Sequence, residues 1–358
     1  MFTVTISDLL WINYYGELIW FFWEKKNFIK QRKGSAEMSL VSKKGAKRVK
    51  DSFLGQGVED DKLAKEFYNQ VNDYHNMDKV WSDPKLEQAL LRQKEWEVAS
   101  ITKKPSFDTK MVRFNPSGAS KCERELFFKL TGVDPDLSEL FPYHKRWLRN
   151  AEAVHQAMQR DLLYMGKKLD YPLFKVAQVK DVLGEVEEEK ATLPAWEQNL
   201  LTAKEFTHNG ETFLINGMMD GVLKYTPEDK LVGFEFKTKS TTIATVGTFK
   251  MKGVQDSHRS QCICYSCLFF GDPYEDRTDN FVVMYESLAK DGWTKGAEAR
   301  EDFRTFQVNV TKEDRMALLD KFATVTKMVR ENELPEADTE KCFFCPYKEH
   351  CQGVHVWL

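Results

Sequence analysis

No part of the chain constrains its fold more than the stretch Phe213 to Lys239, FLINGMMDGVLKYTPEDKLVGFEFKTK. It predicts two strands joined by a turn. The first runs through Phe213, Ile215, Met218 and Val222 and ends near Tyr225. Thr226-Pro227-Glu228-Asp229-Lys230 supplies the turn, because proline presets φ and Asp hydrogen-bonds its own backbone. The second strand covers Leu231 to Thr238. Side chains alternate across a strand, so Phe234 and Phe236 share an apolar core face. Glu235 and Lys237 share the opposite face, with Asp220 on the strand before.

Two carboxylates beside a lysine have the chemistry of phosphodiester cleavage at a metal. Hard oxygen ligands hold Mg²⁺ or Mn²⁺. Such an ion polarises the phosphate and helps make hydroxide from water. A neighbouring lysine positions that water or meets the developing charge. The Asp220…Glu235-Phe236-Lys237 spacing resembles the PD-(D/E)XK nuclease signature. An acid followed by E-x-K also arises by chance. The bland alternative is a solvated strand face with an ordinary Glu and Lys.

The chain is long enough for one large domain or two smaller ones. With 52 basic and 55 acidic residues its net charge is −3, which excludes a polycation. Nucleic acid would have to meet a local basic groove rather than a global field. Residues 1–37 stand apart. Leu9-Leu10-Trp11-Ile12 and Leu18-Ile19-Trp20-Phe21-Phe22-Trp23 are apolar and aromatic, but Asp8, Glu17 and Glu24 break the run needed for a membrane span. No basic n-region or cleavage site marks a signal peptide. The segment reads as an amphipathic helix on the protein or a partner, as a helix on a membrane surface, or as a stretch ahead of a true start at Met38. Residues 38–114 form a polar, helical extension with a basic cluster (Lys43, Lys44, Lys47, Arg48, Lys50) and helices over Asp60–Tyr74 and Pro84–Val98. That cluster is either a solvated arm or a phosphate contact.

From Asn115 a loop feeds a helix that Cys122 begins. His144 to Met165 is an amphipathic helix on which Leu148, Ala151, His155, Met158 and Leu162 form one stripe, turning His155 inward. A lone inward His is more often a hydrogen-bonded core residue than a ligand. Lys180 to Lys190 reads as an acidic, solvated connector. Asn209-Gly210 is a hairpin signal pairing Leu201–Phe206 with the strand at Phe213, so the sheet starts as an antiparallel meander. A helix follows from Asp256 to Phe270, with His258, Gln261 and Tyr265 on one face. That face is either a solvent edge or a row aimed at a phosphate backbone. Cys262, Cys264 and Cys267 scatter over different faces of this helix and read as core. Strands over Phe281–Leu288 and Phe303–Val310 precede a capping box at Thr311-Lys312-Glu313-Asp314, which opens a helix to about Asn332. The tail Cys342-x2-Cys345-x5-Cys351, with no secretory signal, indicates metal or cluster ligation rather than a disulfide. Three thiolates are one short. Zinc would take His350, or an iron–sulfur cluster would recruit Cys122.

Taken in order, these pieces resemble the RecB-like branch of the PD-(D/E)XK nucleases, in particular its iron–sulfur members such as the CRISPR-associated single-domain exonucleases and the AddB nuclease domain. That branch has a histidine on a helix (His155), an acid (Asp220), an E-x-K strand (Glu235, Lys237) and a Q-x3-Y helix (Gln261, Tyr265). One cysteine precedes the histidine helix (Cys122) and three follow at the C-terminus (Cys342, Cys345, Cys351). The match covers roughly Asn115 to Gly353, within an expected nuclease domain of 115–358; Ala151 stands where the branch often has glycine. The resemblance implies an α/β fold: a mixed central sheet flanked by helices, closed by an iron–sulfur clamp. It implies His155, Asp220, Glu235 and the Phe236 carbonyl as metal ligands for Mg²⁺ or Mn²⁺, with Lys237 on the attacking water. It further implies Gln261 and Tyr265 on the DNA backbone or holding the lysine, and a 4Fe–4S cluster on Cys122, Cys342, Cys345 and Cys351. The expected activity is a deoxyribonuclease, exonuclease rather than endonuclease, acting on DNA without sequence specificity. It would serve recombination, repair or processing in the cytoplasm, or in the host cytoplasm if phage-encoded, with recombination or replication proteins as further partners and no membrane partner. The alternatives are an idle DNA-binding module and a zinc-stabilised interaction protein. No P-loop motif accompanies the site.

Overall fold

The computed structural model describes residues 10–12, 18–20, 61–78, 82–102, 111–136, 141–289 and 301–355. Two short strands, β1 (Leu10–Ile12) and β2 (Leu18–Trp20), pair antiparallel, where a helix was one expectation. The rest of residues 1–37, Met38 and the basic cluster Lys43 to Lys50 lie outside the described residues. Helices α1 (Lys62–His75) and α2 (Pro84–Thr102) follow, then β3 (Arg113–Phe114), α3 (Glu123–Leu130) and the long helix α4 (Pro142–Lys168). Next come β4 (Phe174–Val176) and the short helices α5 (Val179–Leu183), α6 (Glu188–Ala191) and α7 (Glu197–Leu200). The expected acidic connector is therefore partly helical. Strands β5 (Thr202–His208), β6 (Glu211–Gly217), β7 (Gly221–Tyr225) and β8 (Lys230–Lys239) lead to α8 (Asp256–Phe269), β9 (Asp279–Ser287), β10 (Phe303–Val310), α9 (Lys312–Glu331) and α10 (Lys348–His355).

Five strands form one sheet in the order β10-β9-β8-β7-β4, and three form another in the order β3-β6-β5. The Asn209-Gly210 turn joins β5 to β6, with φ of 50° and 81° as a tight right-twisting hairpin requires. The meander does not continue from there. The expected strand from Phe213 to Tyr225 is two strands in two sheets. Its chain leaves the first sheet at Gly217, where a Cβ would stand 2.7 Å from the Pro116 ring, and enters the second at Gly221. Residues Met218 to Asp220 make the crossing. Strands β8 and β9 are parallel, Glu235 lying opposite Val283 and Lys237 opposite Tyr285. A parallel pair needs a crossover, and α8 supplies it.

Both faces of β8 are covered. Phe234 and Phe236 join a core with Met158 and Leu162 of α4 and Phe67 of α1. The other face meets a core built from α8, α9 and Phe281, Val283 and Tyr285 of β9. The Glu235–Lys237 face is thus no solvated strand face: Glu235 is 0% exposed. Helix α1 belongs to this packing. The Phe67 ring stands 5.4 Å from that of Phe174 and 5.3 Å from that of Phe234, and the Leu63 N–H donates to Gln307 Oε1 at 3.0 Å. Helix α9 opens on the expected capping box, in which Thr311 and Asp314 bond each other's backbone N–H, and closes on Asn332 in a left-handed conformation.

At Gly233 the Phe281 ring of β9 packs directly over the β8 backbone. A Cβ there would stand 2.1 and 2.3 Å from carbons of the Phe281 ring. Gly233→Ala should lower stability by about 1–3 kcal/mol through overpacking, read as a drop in thermal midpoint. An unchanged midpoint would contradict this strand register.

Candidate active site

Asp220 precedes the first residue pair of β7 with β8, Gly221 opposite Phe234. Pairing has therefore not begun at Asp220, and its carboxylate takes over as backbone partner: Asp220 Oδ2 accepts the Phe236 N–H at 2.8 Å. The N–H and C=O of one strand residue point to the same side, so the Phe236 carbonyl also faces Asp220. Helix α4 lays His155 across this end, its ring 4.8 Å from that of Phe236 and its Nδ1 4.0 Å from Asp220 Oδ1. The His155 and Asp220 side chains are 24% and 21% exposed, against 1% for Glu235. The site therefore has an open rim and a buried floor.

The floor is electrostatically incomplete. Lys237 Nζ is ion-paired with Glu235 Oε1, but neither Glu235 oxygen has an aligned hydrogen-bond partner. Burial, and then the neighbouring Asp220, push the Glu235 carboxyl up to about 7. Burial raises Asp220 as well, against the pull of Lys237. For Lys237, burial alone would lower the ammonium, but Glu235 and Asp220 outweigh it and raise it. Burial, then Lys237, hold His155 down to about 4, so at neutral pH its imidazole is neutral with a free lone pair. A buried carboxylate, a second carboxylate, a neutral ring nitrogen and a backbone carbonyl are a donor set that fits Mg²⁺ or Mn²⁺.

A third carboxylate joins the site unannounced. Glu197, Asp220 and His155 each offer a ligand atom within 4.8 Å of the others. The segment carrying Glu197 docks on β7: Val222 N–H donates to Ala195 O at 2.9 Å and Glu197 N–H to Met219 O at 2.7 Å. Glu197 has φ of 38°, rare for a residue with a Cβ. Burial, then Asp220, push its carboxyl up to about 7. Nothing in the periodicity around Leu193-Pro194-Ala195-Trp196 marks it, because these two long-range backbone bonds set its place.

On α8, His258, Gln261 and Tyr265 are 7%, 6% and 4% exposed, so their stripe is no solvent edge. His258 Nδ1 stands 2.7 Å from the Tyr285 hydroxyl, and Gln261 Oε1 is buried without a partner. Cys262, Cys264 and Cys267 are fully buried in the core.

At the far end of the chain, Cys122, Cys342, Cys345 and Cys351 line one pocket. Cys122 stands at the N-terminus of α3 and accepts the Asp338 N–H at 3.4 Å. Arg124 donates from Nη1 to Cys351 Sγ at 3.5 Å and from Nε to the Pro335 carbonyl at 2.6 Å. Among the described residues, no three of these thiols lie within 4.8 Å of one another. A single tetrahedral zinc, with Zn–S bonds of about 2.3 Å, holds its thiolates closer than that. His350 turns instead to Asp136, 3.6 Å away, and is about half exposed.

The geometry belongs to a known class. The chain is a member of the PD-(D/E)XK nuclease superfamily, whose family model matches residues 125–352. Membership makes it a nuclease by class, with DNA as the substrate and Mg²⁺ or Mn²⁺ as the usual ion of such enzymes. A comparison with curated proteins finds no match. Among solved structures it is similar to one described as "Crystal structure of SSO0001", at 12% identity and a TM-score of 0.37, over 74% of this chain and 96% of that one. Among the described residues no helix is long and apolar enough to cross a membrane.

Because the Glu235 and Glu197 carboxyls are pushed up to about 7, a cation must displace their protons at pH 6. Mn²⁺ affinity, measured by titration calorimetry, should rise by about tenfold per pH unit for each displaced proton and level off above pH 7 to 8. His155, held down to about 4, adds no slope in that window. A flat affinity from pH 6 to 8 would contradict this electrostatic account.

Proposed function

We propose that the chain is a RecB-like, iron–sulfur nuclease that hydrolyses DNA phosphodiester bonds from the ends of the strand, in recombination, repair or processing, on a phage or mobile element. The observation that carries this reading is the fully buried Glu235, in contact with Lys237 and next to the charges of Asp220 and His155. In this reading His155, Asp220, Glu235 and the Phe236 carbonyl hold the ion. When bound, the ion polarises the scissile phosphate and supplies hydroxide from water. Lys237 keeps its proton, since its pKa is raised, and so acts as a donor that orients the water and meets the charge growing on phosphate. Gln261 and Tyr265 share their buried stripe with His258, which senses the charge of Lys237. That burial favours holding the lysine wall over a direct grip on the DNA backbone. An idle DNA-binding module would have no need of the charged trio Asp220, Glu235 and Lys237.

The second part of the proposal is the clamp. Cys122, Cys342, Cys345 and Cys351 line one pocket, and four cysteines are the ligand count of a 4Fe–4S cluster. A cluster there would tie α3 to the C-terminal tail across nearly the whole nuclease domain. By the loop-closure model used for disulfides, such a link restricts the unfolded chain by on the order of 5 kcal/mol. Its role would be structural, since hydrolysis moves no electrons.

The test is anaerobic purification followed by cleavage of end-labelled linear and closed circular DNA with Mg²⁺ or Mn²⁺. Linear DNA should be shortened from its ends and circular DNA spared. Asp220→Ala and Glu235→Ala should each abolish cleavage, while Lys237→Ala should lose rate and keep metal affinity. Parent-like cleavage by either acidic variant would refute the site assignment. Cys122→Ala should lose iron and visible absorption as Cys345→Ala does, whereas Cys264→Ala should keep both. Full cluster occupancy in Cys122→Ala would break the clamp.

A further inference from the structure

Residues 240–254 join β8 to α8 in a loop that has no part in the chemistry proposed so far. Its neck is closed: Lys239 Nζ donates to Gln255 Oε1 at 3.0 Å. Both ends rest on Tyr285 of β9. The Lys239 ammonium lies 5.4 Å from the centre of its ring, and the Gln255 N–H donates to its hydroxyl at 3.1 Å. A surface loop with joined ends, packed by its own side chains, is an Ω-loop, and such loops are frequently functional. Inside it, Ile243, Val246 and Met251 are buried. At its tip the Gly247 carbonyl accepts the N–H groups of Lys250 and Met251 at 3.0 and 2.9 Å, and Arg304 of β10 donates to the Met251 carbonyl. Neck, interior and tip are each tied down.

What this fixed turn presents to solvent is Phe249, 89% exposed, with Lys250 and Lys252 exposed beside it. No acid lies between Lys239 and Asp256. Tyr171 is as exposed, at 92%, but it follows Asp170. An exposed ring with cationic flanks matches single-stranded nucleic acid, whose bases stack on the ring while its phosphates meet the cations. It is also the local basic element that a net charge of −3 requires of a nucleic-acid binder. The neck adjoins the site. Glu235, Lys237 and Lys239 alternate onto one face of β8, and Lys239 feels the charge of Lys237. From Gln255 back to Phe249 the chain reaches at most about 20 Å, a distance that about six stacked nucleotides span.

We propose that Phe249 is a stacking post for an unpaired base of the DNA strand, with Lys250 and Lys252 on the flanking phosphates. The inference rests on the nuclease reading and deepens it, adding a substrate contact outside the metal site. A duplex offers a base face only at its end, so the post takes strand that is already unpaired. It holds that strand a few nucleotides from the scissile phosphate. It reads no sequence, because every base has a π-face.

The experiment measures binding of the full chain to fluorescein-labelled oligothymidine by fluorescence anisotropy, without divalent metal so that no strand is cut. Phe249→Ala should weaken binding about 5- to 100-fold, the range of one base–aromatic stack, with thermal midpoint and Mn²⁺ affinity unchanged. Phe249→Trp should bind at least as tightly as the parent, and Tyr171→Ala should bind like it. A strand of the same length built from abasic sites keeps the phosphates and removes the bases. Parent and Phe249→Ala should bind that strand equally. Lys250→Ala and Lys252→Ala should each flatten the slope of log affinity against log salt by about 0.7, which Phe249→Ala should leave alone. Unchanged oligothymidine affinity in Phe249→Ala, beside a parent that cleaves DNA, overturns the post and leaves the nuclease reading standing. An equal loss on the abasic strand does the same, as does a loss of self-association in Phe249→Ala with DNA binding intact. A parent that neither binds nor cleaves DNA overturns the nuclease reading and this inference with it.

Discussion

A carboxylate buried without full compensation is the constraint around which this structure is arranged. Glu235 sits in the middle of the five-stranded sheet, 0% exposed, in contact with the Lys237 ammonium. A buried ion pair of this kind contributes little to stability, because desolvation offsets most of the Coulomb gain. The surrounding packing must hold it. Phe234 and Phe236 lock β8 into the core on one side, and the parallel pairing with β9 locks it on the other. A polar group tolerated at such cost belongs where charge is to be supplied later, by a cation and a phosphate. Rigid strands on both sides keep its oxygens in place for them.

The position of Asp220 follows from the same sheet. The chain crosses from one sheet to the other between Gly217 and Gly221. Asp220 stands at the end of that crossing, where strand pairing has not begun and a backbone N–H of β8 is open to a side chain. His155 arrives from the core helix α4 on the face that also buries Met158 and Leu162. Three elements that are remote in sequence thus converge because one strand is buried on both faces.

Alternation in Phe234-Glu235-Phe236-Lys237 and the 3,4 spacing around His155 were enough to place these residues, because period-2 and period-3.6 patterns report which side chains share a face. The Asn209-Gly210 hairpin and the Thr311 capping box were equally legible, since local backbone chemistry sets both. The break at Met218 to Asp220 was not. A strand that changes sheets keeps its apolar pattern, and the cause, contact between Gly217 and Pro116, is long-range. Nor could the pattern of α8 tell that its polar stripe is buried, because the partner that covers it is the sheet. Glu197 was invisible for the same reason: a backbone docking onto β7, with a positive φ, places it. The cysteine pocket was legible as a set of residue types, but only the fold brings Cys122 to the three late cysteines and turns His350 away.

The most direct measurement is anomalous X-ray diffraction from crystals of the chain grown with Mn²⁺, recorded at the manganese absorption edge. The account predicts a peak within bonding distance, about 2.2 Å, of Asp220 and Glu235, with the Glu235 oxygens drawn onto the ion. Clear density for the site with no peak there, or manganese bound only elsewhere on the surface, would contradict the claim that the buried carboxylate of β8 is there to hold a metal.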